Sequence, residues 1–220
     1  MALNHSPVES PDGLCDVPGI SALFIARFEG IDTAVDREAV MAALAPHQQR
    51  TLGEHGLGTF PLVRAEQIHG SHIATVTAST DKPLPGVDGL VTATRGITLG
   101  ISVADCAPVW IVAQDGSAGA LLHSGKKGTE LGIVPTGIST LCSLSGKQPS
   151  ELILVIGPCI RPPCYEVDFA AEIRNQAARS GVTDIHDDGI CTACHPKHYY
   201  SYRREKGMTG RMLATLTLLP

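Results

Sequence analysis

The chain has 220 residues, of which 43% are hydrophobic and 18% are charged. This length and composition predict one globular domain with a sizeable core, and they exclude a disordered chain, a coiled coil and a fibrous repeat. The formal net charge is −5, so we expect neither the broad basic surface typical of nucleic-acid-binding proteins nor a nucleic-acid partner.

The amino-terminal end differs in composition from the rest of the chain. Residues 1–19 contain several prolines and glycines and little periodicity, which predicts a loosely ordered arm before a single domain over residues 20–220. Met1–Gly13 has neither the basic nor the apolar region of a secretory signal, and the longest apolar run, Leu152–Ile156, is far shorter than the roughly 20 residues that cross a bilayer. We therefore expect a cytoplasmic protein with no membrane partner.

Predicted strands and helices follow in chain order. Short apolar or β-branched runs predict strands at Ser21–Phe28, Leu62–Gln67, Ile73–Ala78, Ile97–Val103, Val109–Ala113, Ala118–Leu122, Leu152–Ile156 and Met212–Leu219. Helical spacing predicts Asp36–Leu44 with Asp36 as its N-cap, a segment holding Leu131, Ile138 and Leu141 that Pro135 bends or delays, and Val167–Ser180. The pattern indicates an α/β or α+β domain with mixed β-sheets flanked by helices.

Three side chains that can bind metal ions lie where predicted strands end: His69, Cys106 and His123. A sheet can hold such groups at fixed distances while its loops leave them open to solvent. Two imidazoles and one thiolate form a recognised set of three zinc ligands, with the fourth position left for water or substrate. Core residues show the same pattern, so spacing alone leaves both interpretations open.

Nine short motifs in one order identify a known family. They are Gln67–Gly70, Val87–Thr92, Val103–Pro108, His123–Gly125, Gly157–Ile160, Tyr165–Val167, Cys191–Thr192, Tyr200–Arg204 and Thr209–Arg211. Together they resemble the YfiH or laccase-domain family, also called multicopper polyphenol oxidase-like and, later, purine nucleoside phosphorylase. The resemblance covers residues 60–220.

The resemblance implies a single α/β domain with mixed sheets and a zinc site made by His69, Cys106 and His123. It also implies phosphorolysis of adenosine, inosine, guanosine or methylthioadenosine to base and pentose 1-phosphate, and deamination of adenosine. A purine nucleoside and phosphate are therefore the expected small-molecule partners. Among the ligands, Cys106 and His123 are also predicted to be catalytic.

Deamination also needs a carboxylic acid that moves protons, and Asp105, Asp88 and Glu66 are the candidates near the motifs in sequence. We assign Asp105 to the catalytic set. Phosphorolysis needs cationic or N–H donors for phosphate. The candidates are Lys126, Lys127, Arg203 and Arg204, and because adjacent arginines on a strand face opposite ways, at most one of the two arginines is expected to reach the site. We predict that Lys126, Lys127 and Arg204 bind the phosphate.

One segment departs from the family pattern. The usual His-Ala-Gly-Trp-Arg-Gly is here His123-Ser124-Gly125-Lys126-Lys127-Gly128, so an aromatic residue and an arginine are replaced by lysines. Lysine keeps the positive charge but lacks the planar fork that grips two phosphate oxygens. Because Lys127 is in register with the replaced arginine, we predict that it binds phosphate or another anion; two solvated lysines are the alternative.

Other functions remain open. A metal-free cysteine hydrolase or deamidase would use Cys106 as nucleophile and His123 as base, and a non-catalytic relative would bind only a nucleotide or a protein. Copper could occupy the zinc ligands adventitiously.

The segment Cys191-Thr192-Ala193-Cys194-His195 matches the C-x-x-C-H pattern of haem attachment, but without an export signal we predict no haem. Cys191 and Cys194 could instead form a second zinc site with His195 or His198.

Overall fold

Two mixed β-sheets form the centre of the structure, a computed structural model that describes residues 8–220. The strands over these residues are Val8–Glu9 (β1), Ile20–Ile25 (β2), Leu62–Arg64 (β3), Ile73–Thr75 (β4), Gly89–Thr92 (β5), Ile97–Val103 (β6), Ala107–Ala113 (β7), Gly119–Ser124 (β8), Leu152–Ile156 (β9), Asp184–Asp187 (β10) and Met212–Leu218 (β11). The helices are Arg37–Glu54 (α1), Lys126–Glu130 (α2), Ile133–Ser145 (α3) and Phe169–Arg179 (α4), with 3₁₀ turns at Pro149–Glu151 and Thr192–Cys194.

The first sheet has the strand order β1-β2-β11-β6-β3 and the second β10-β9-β7-β8-β5-β4. In the first sheet β11 is antiparallel to β2 and β6, whereas β3 is parallel to β6. In the second sheet β7 is antiparallel to β8 and β9, whereas β10 is parallel to β9. The predicted α/β architecture with mixed sheets is confirmed.

The second sheet is buried on both faces. Alternate residues of β7, such as Trp110 and Val112, pack with the first sheet, while Val109 and Ile111 pack with α3 and α4. The Trp110 indole N–H donates to the Thr215 carbonyl at 2.9 Å and so joins the two sheets directly. Burial on both faces explains why this strand and β9 are continuous apolar runs.

The amino-terminal arm predicted over residues 1–19 differs in the structure. Residues 1–7 of that prediction lie outside the described residues. From Val8 onward the chain is held in place, since β1 pairs with Phe24 and Ile25 of β2 and the side chains of Leu14 and Val17 are buried in the core. Isolated apolar residues between prolines gave no periodic signal for this packing.

Several element boundaries also differ. Helix α1 begins after its predicted N-cap, Asp36, but continues past Pro46 to Glu54, because Leu44 and Leu52 extend its buried face while Pro46 faces solvent. Pro135 lies in the first turn of α3, where a missing N–H costs nothing. Strands β5 and β10 were not predicted, since both are short and β10 is mostly polar. None of the helices over residues 8–220 has the length and apolar character needed to traverse a bilayer.

Candidate functional site

Strand register brings the predicted His and Cys residues together at one end of the second sheet. Pro108 of β7 pairs with His123 of β8, so Cys106, just before β7, lies beside the end of β8. A Cβ placed on Gly125 would be 2.4 Å from the Cys106 sulfur, so glycine is needed for this close approach. The His123 N–H donates to the Asp88 carbonyl at 2.7 Å, which places Asp88 next to the same histidine.

His69 reaches the same place from the loop after β3. Gln67 and His69 have positive φ angles of 66° and 61°, a backbone conformation that residues other than glycine rarely adopt. Two sets of contacts hold this loop. The Gln67 side-chain amide exchanges two hydrogen bonds with the Ser102 backbone. The Asp88 carboxylate accepts the N–H groups of Ile68, His69 and Gly70 at 3.1, 2.8 and 2.7 Å. The carboxylate therefore organises the loop that presents His69.

The three side chains form a compact donor set. One ligand atom each from His69, Cys106 and His123 lies within 4.8 Å of the others. Nδ1 of His123 donates to Oδ1 of Asp88 at 2.8 Å, which leaves Nε2 for a ligand. A carboxylate behind a coordinating histidine is a recurrent arrangement in zinc sites, so these residues fit a zinc ion.

The electrostatics of the cluster favour a thiolate. Burial raises the pKa of Cys106, but hydrogen bonds from His123 and His69 outweigh burial and hold it at about 6. Burial lowers the pKa of His123, but Asp88 and Cys106 outweigh it and raise this pKa to about 9. Cys106 is therefore ionised at neutral pH even without a metal, and it is ready to act as a ligand or a nucleophile.

A cavity of about 820 Å³ opens above the cluster. Among residues 8–220, its wall carries five cationic side chains, Arg37, Lys126, Arg203, Lys206 and Arg211, and one carboxylate, Asp105. Its aromatic side chains are Tyr165, Phe169 and Tyr202. A cavity of this size, charge and aromatic content suits a small anion together with a flat organic ring.

Asp105 lines the cavity, but its carboxylate is already engaged. It accepts the Thr192 hydroxyl on Oδ1 and the Arg203 N–H on Oδ2, each at 2.7 Å, and its φ is 84°. Its position therefore suits holding the Arg203 segment against the cluster. Of the other carboxylates considered for proton transfer, Asp88 holds His123 and the His69 loop, while exposed Glu66 accepts the Gly86 N–H.

Of the three predicted phosphate ligands, the structure places Lys126 at the cavity and the other two outside it. Lys126 lines the cavity, whereas its neighbour Lys127 does not. Arg203 lines the cavity, whereas the guanidinium of Arg204 donates to the Ala193 carbonyl at 3.0 Å. One arginine of the pair thus reaches the cavity, and it is Arg203.

Sequence reasoning missed two cavity arginines. Arg211 lines the cavity and belongs to the Thr209–Arg211 motif, which supports the family resemblance but did not indicate a function for this arginine. Arg37 follows the N-cap of α1, and no motif marked it. Burial and the nearby charge of Arg37 lower the pKa of Arg211. The two guanidinium groups therefore lie close enough to repel each other.

Comparison with known proteins gives consistent matches. A family model described as multi-copper polyphenol oxidoreductase laccase matches residues 19–177 and 167–219. The chain is 32% identical over 192 residues to a purine nucleoside phosphorylase of Streptomyces coelicolor, covering 74% of this chain and 78% of that protein. It is 32% identical over 198 residues to purine nucleoside phosphorylase YlmD of Geobacillus stearothermophilus, covering 70% and 72%. The crystal structure of YlmD from that organism matches with a TM-score of 0.81 at 26% identity, covering 92% of this chain and 93% of the other.

Proposed function

The chain belongs to the multi-copper polyphenol oxidoreductase laccase family, and we propose that it is a zinc-dependent purine nucleoside phosphorylase. The proposed substrates are inorganic phosphate and adenosine, inosine, guanosine or methylthioadenosine, and the products are the free base and a pentose 1-phosphate. The observation that carries this proposal is the cationic, aromatic cavity directly above His69, Cys106 and His123.

Arg37, Arg211 and Lys126 supply the phosphate site in this proposal. Of the salt bridges formed within residues 8–220, none involves Arg37 or Arg211, although the two repel each other. A dianion between them would remove that repulsion, and a guanidinium can bind two phosphate oxygens at once. We favour this group over Lys127 and Arg204, which do not line the cavity.

Tyr165 and Phe169 supply the purine site. Their ring centroids are 6.0 Å apart in an edge-to-face arrangement, and Ile160 adds apolar surface beside them. The Arg203 guanidinium lies 5.6 Å from the centre of the Tyr165 ring. Flat apolar walls with a nearby cation suit stacking and hydrogen bonding of a purine base.

Zinc would be held by His69, Cys106 and His123, and when bound it supplies a Lewis acid beside the substrates. Asp88 keeps His123 oriented, and the cationic side chains orient the hydrogen phosphate. A phosphate oxygen forms a bond to C1′ of the pentose as the bond from C1′ to the purine nitrogen breaks. The proton of the hydrogen phosphate ends on the purine, so atoms and charge balance.

Deamination of adenosine is the second reaction that we propose for this site. Water replaces phosphate, its oxygen bonds to C6 of the purine, and the amino group leaves as ammonia. A carboxylate must carry the protons. Asp105 is the candidate at the cavity, since each of its oxygens retains a lone pair beside the bond it accepts.

A metal-free cysteine hydrolase or deamidase is the alternative function, and one observation favours it. Asp88, His123 and Cys106 form a chain in which the carboxylate orients the imidazole and the imidazole contacts the thiolate. The same order of groups activates cysteine nucleophiles in hydrolases. In that case Cys106 itself attacks the substrate and no metal is needed.

A panel of purine nucleosides, incubated with the purified protein with and without phosphate, tests the proposal. Chromatography separates the products. Free base that appears only with phosphate supports phosphorolysis, inosine formed from adenosine without phosphate supports deamination, and no turnover contradicts both. Elemental analysis of the same sample separates zinc from copper, and activity that survives complete metal removal but is lost on thiol alkylation supports the cysteine hydrolase instead.

A further inference from the structure

A second group of thiols lies outside the cavity described above. Cys164 lies in the turn before α4, Cys191 precedes the 3₁₀ turn Thr192–Cys194, and Cys194 ends it. Their sulfur atoms all lie within 4.8 Å of one another, and those of Cys164 and Cys194 are 3.3 Å apart. Two separate segments of the chain thus converge on one point with three thiols.

Backbone contacts fix this convergence. Cys159 and Cys191 form an isolated parallel bridge, in which the Thr192 N–H donates to the Cys159 carbonyl at 3.1 Å. The bridge sets the C-x-x-C turn against the segment that leads to Cys164. The Arg204 guanidinium donates to the Ala193 carbonyl at 3.0 Å, in the middle of that turn. These contacts hold the two segments in a fixed arrangement, which is what a metal site requires of the elements that carry its ligands.

The three thiols form a compact donor set. Their sulfur atoms lie within 4.8 Å of one another, and Cys191 is buried while Cys194 is exposed. Sulfur atoms held this close by two segments of the chain suit a soft metal ion, and each thiol loses its proton when it becomes a ligand.

We propose that Cys164, Cys191 and Cys194 bind a zinc ion, with water as the fourth ligand on the exposed side of Cys194. Binding forms three zinc–sulfur bonds and releases to solvent the protons that the thiols still carry. Three thiolates select zinc or another thiophilic ion over magnesium or calcium.

This donor set differs from the one expected from the sequence. Neither His195 nor His198 belongs to the cluster of potential ligands, and both rings lie against Tyr199 instead. The third ligand comes from a segment nearly thirty residues earlier, Cys164, which motif spacing could not pair with the C-x-x-C turn.

The position of this site links it to the cavity. Tyr165, which follows Cys164, lines the cavity, and Thr192, which follows Cys191, donates its hydroxyl to Asp105. A metal held by the three thiols would therefore clamp together the two segments that shape the purine side of the cavity. Its role is structural, and it does not depend on the reaction catalysed there.

Site-resolved alkylation tests the proposal on the full-length, reduced and metal-depleted protein. With zinc added, we expect the alkylation rates of Cys164 and Cys194 to fall together by about tenfold or more, since bound thiolates are poor nucleophiles, while the rate of exposed Cys15 stays unchanged. Mass spectrometry of the peptides gives each rate separately. Equal rates with and without zinc at Cys164 and Cys194 would overturn the proposal, as would recovery of these two residues as a disulfide from the reduced sample.

Two variants separate this site from the first one. In Cys106→Ser, zinc should still protect Cys164 and Cys194, because their site does not use that thiol. In Cys194→Ser, zinc should no longer protect Cys164. If Cys194→Ser does not fold, cobalt(II) titration of Cys106→Ser takes its place: absorption bands typical of several thiolate ligands support the site, and their absence contradicts it. Both outcomes are independent of nucleoside turnover.

Discussion

Oδ1 of Asp88 accepts two hydrogen bonds of 2.8 Å, one from Nδ1 of His123 and one from the backbone N–H of His69. One fully buried carboxylate thus orients one potential zinc ligand through its ring and the other through its backbone. The His69 loop begins with a residue in the left-handed region, so it needs this support. Asp88 therefore holds two of the three members of the cluster in place.

Replacing Asp88 with asparagine should weaken the metal site. In Asp88→Asn an amide NH2 would face the N–H groups of Ile68 and Gly70, which now donate to Oδ2, and two donors repel each other. We expect zinc affinity to fall by about 10- to 100-fold, the usual effect of losing the carboxylate behind a ligand histidine. Competition with a zinc chelator measures it. The control is Glu66→Gln, which should leave zinc affinity unchanged; equal losses in both variants would refute this role of Asp88.

The metal-free protein should show a low titration midpoint at Cys106. Its pKa of about 6 lies below the ordinary thiol value of 9.0, so its alkylation rate should rise as the pH increases through about 6 and level off well before 9. Because the pKa of Cys106 is lower in the folded than in the unfolded state, ionisation of this thiol stabilises the fold. The stabilisation is complete above the pKa of the unfolded state and is lost as the pH falls through about 6.

Peptide-level alkylation across a pH series measures that midpoint. In His123→Gln the midpoint should move upward, since His123 makes the largest contribution that lowers the pKa of Cys106. A wild-type midpoint near 9 would show that the cluster does not activate this thiol.

Substituting Gly125 should displace the Cys106 sulfur, although the backbone conformation of Gly125 is open to any residue. Gly125 has φ −95° and ψ −171°, which any residue adopts, but an added Cβ would lie 2.4 Å from the sulfur of Cys106. Gly125→Ala should therefore displace the sulfur and lower zinc affinity by at least about tenfold. Gly53→Ala is the matched control, because a Cβ there meets nothing within 4 Å. Unchanged zinc affinity in Gly125→Ala would mean that the sulfur has room to move.

The two adjacent lysines should differ in their effect on phosphate. Lys126 lines the cavity and Lys127 does not, so Lys126→Ala should raise the KM for phosphate by about tenfold, as expected for the loss of one charge-assisted hydrogen bond. Lys127→Ala should change it by less than about twofold, since an exposed charge at a distance is screened. Steady-state kinetics at saturating nucleoside measures both values. The reverse order would assign phosphate to Lys127, in register with the family's arginine.

Sequence patterns predicted the sheets and the three metal-binding candidates because these depend on local signals. Apolar runs such as Leu152–Ile156 are buried strands, and His69, Cys106 and His123 each sit where such a strand or its loop ends. The neighbours that complete the site depend on contacts between distant parts of the chain. Arg37 and Arg211 are 174 positions apart in the sequence, and their charges interact only through the tertiary fold.

The same limit explains the differences among neighbouring residues. Alternation along a strand predicted that at most one of Arg203 and Arg204 would reach the site. The two residues lie in a turn instead of a strand, and Asp105 holds that turn by accepting the N–H of Arg203. Cys164 approaches Cys194 where the bridge between Cys159 and Cys191 brings their two segments together. Each of these contacts depends on the tertiary fold, and the periodicity of the sequence does not predict it.

The position of zinc in crystals of the protein tests the proposed metal site most directly. Anomalous diffraction measured on either side of the zinc absorption edge locates the metal without assumptions about the reaction. We expect a peak within bonding distance of His69, Cys106 and His123. A map with no peak there, from crystals grown with zinc and with Cys106 in contact with His123, would contradict the metal site and leave the cysteine hydrolase as the function to pursue.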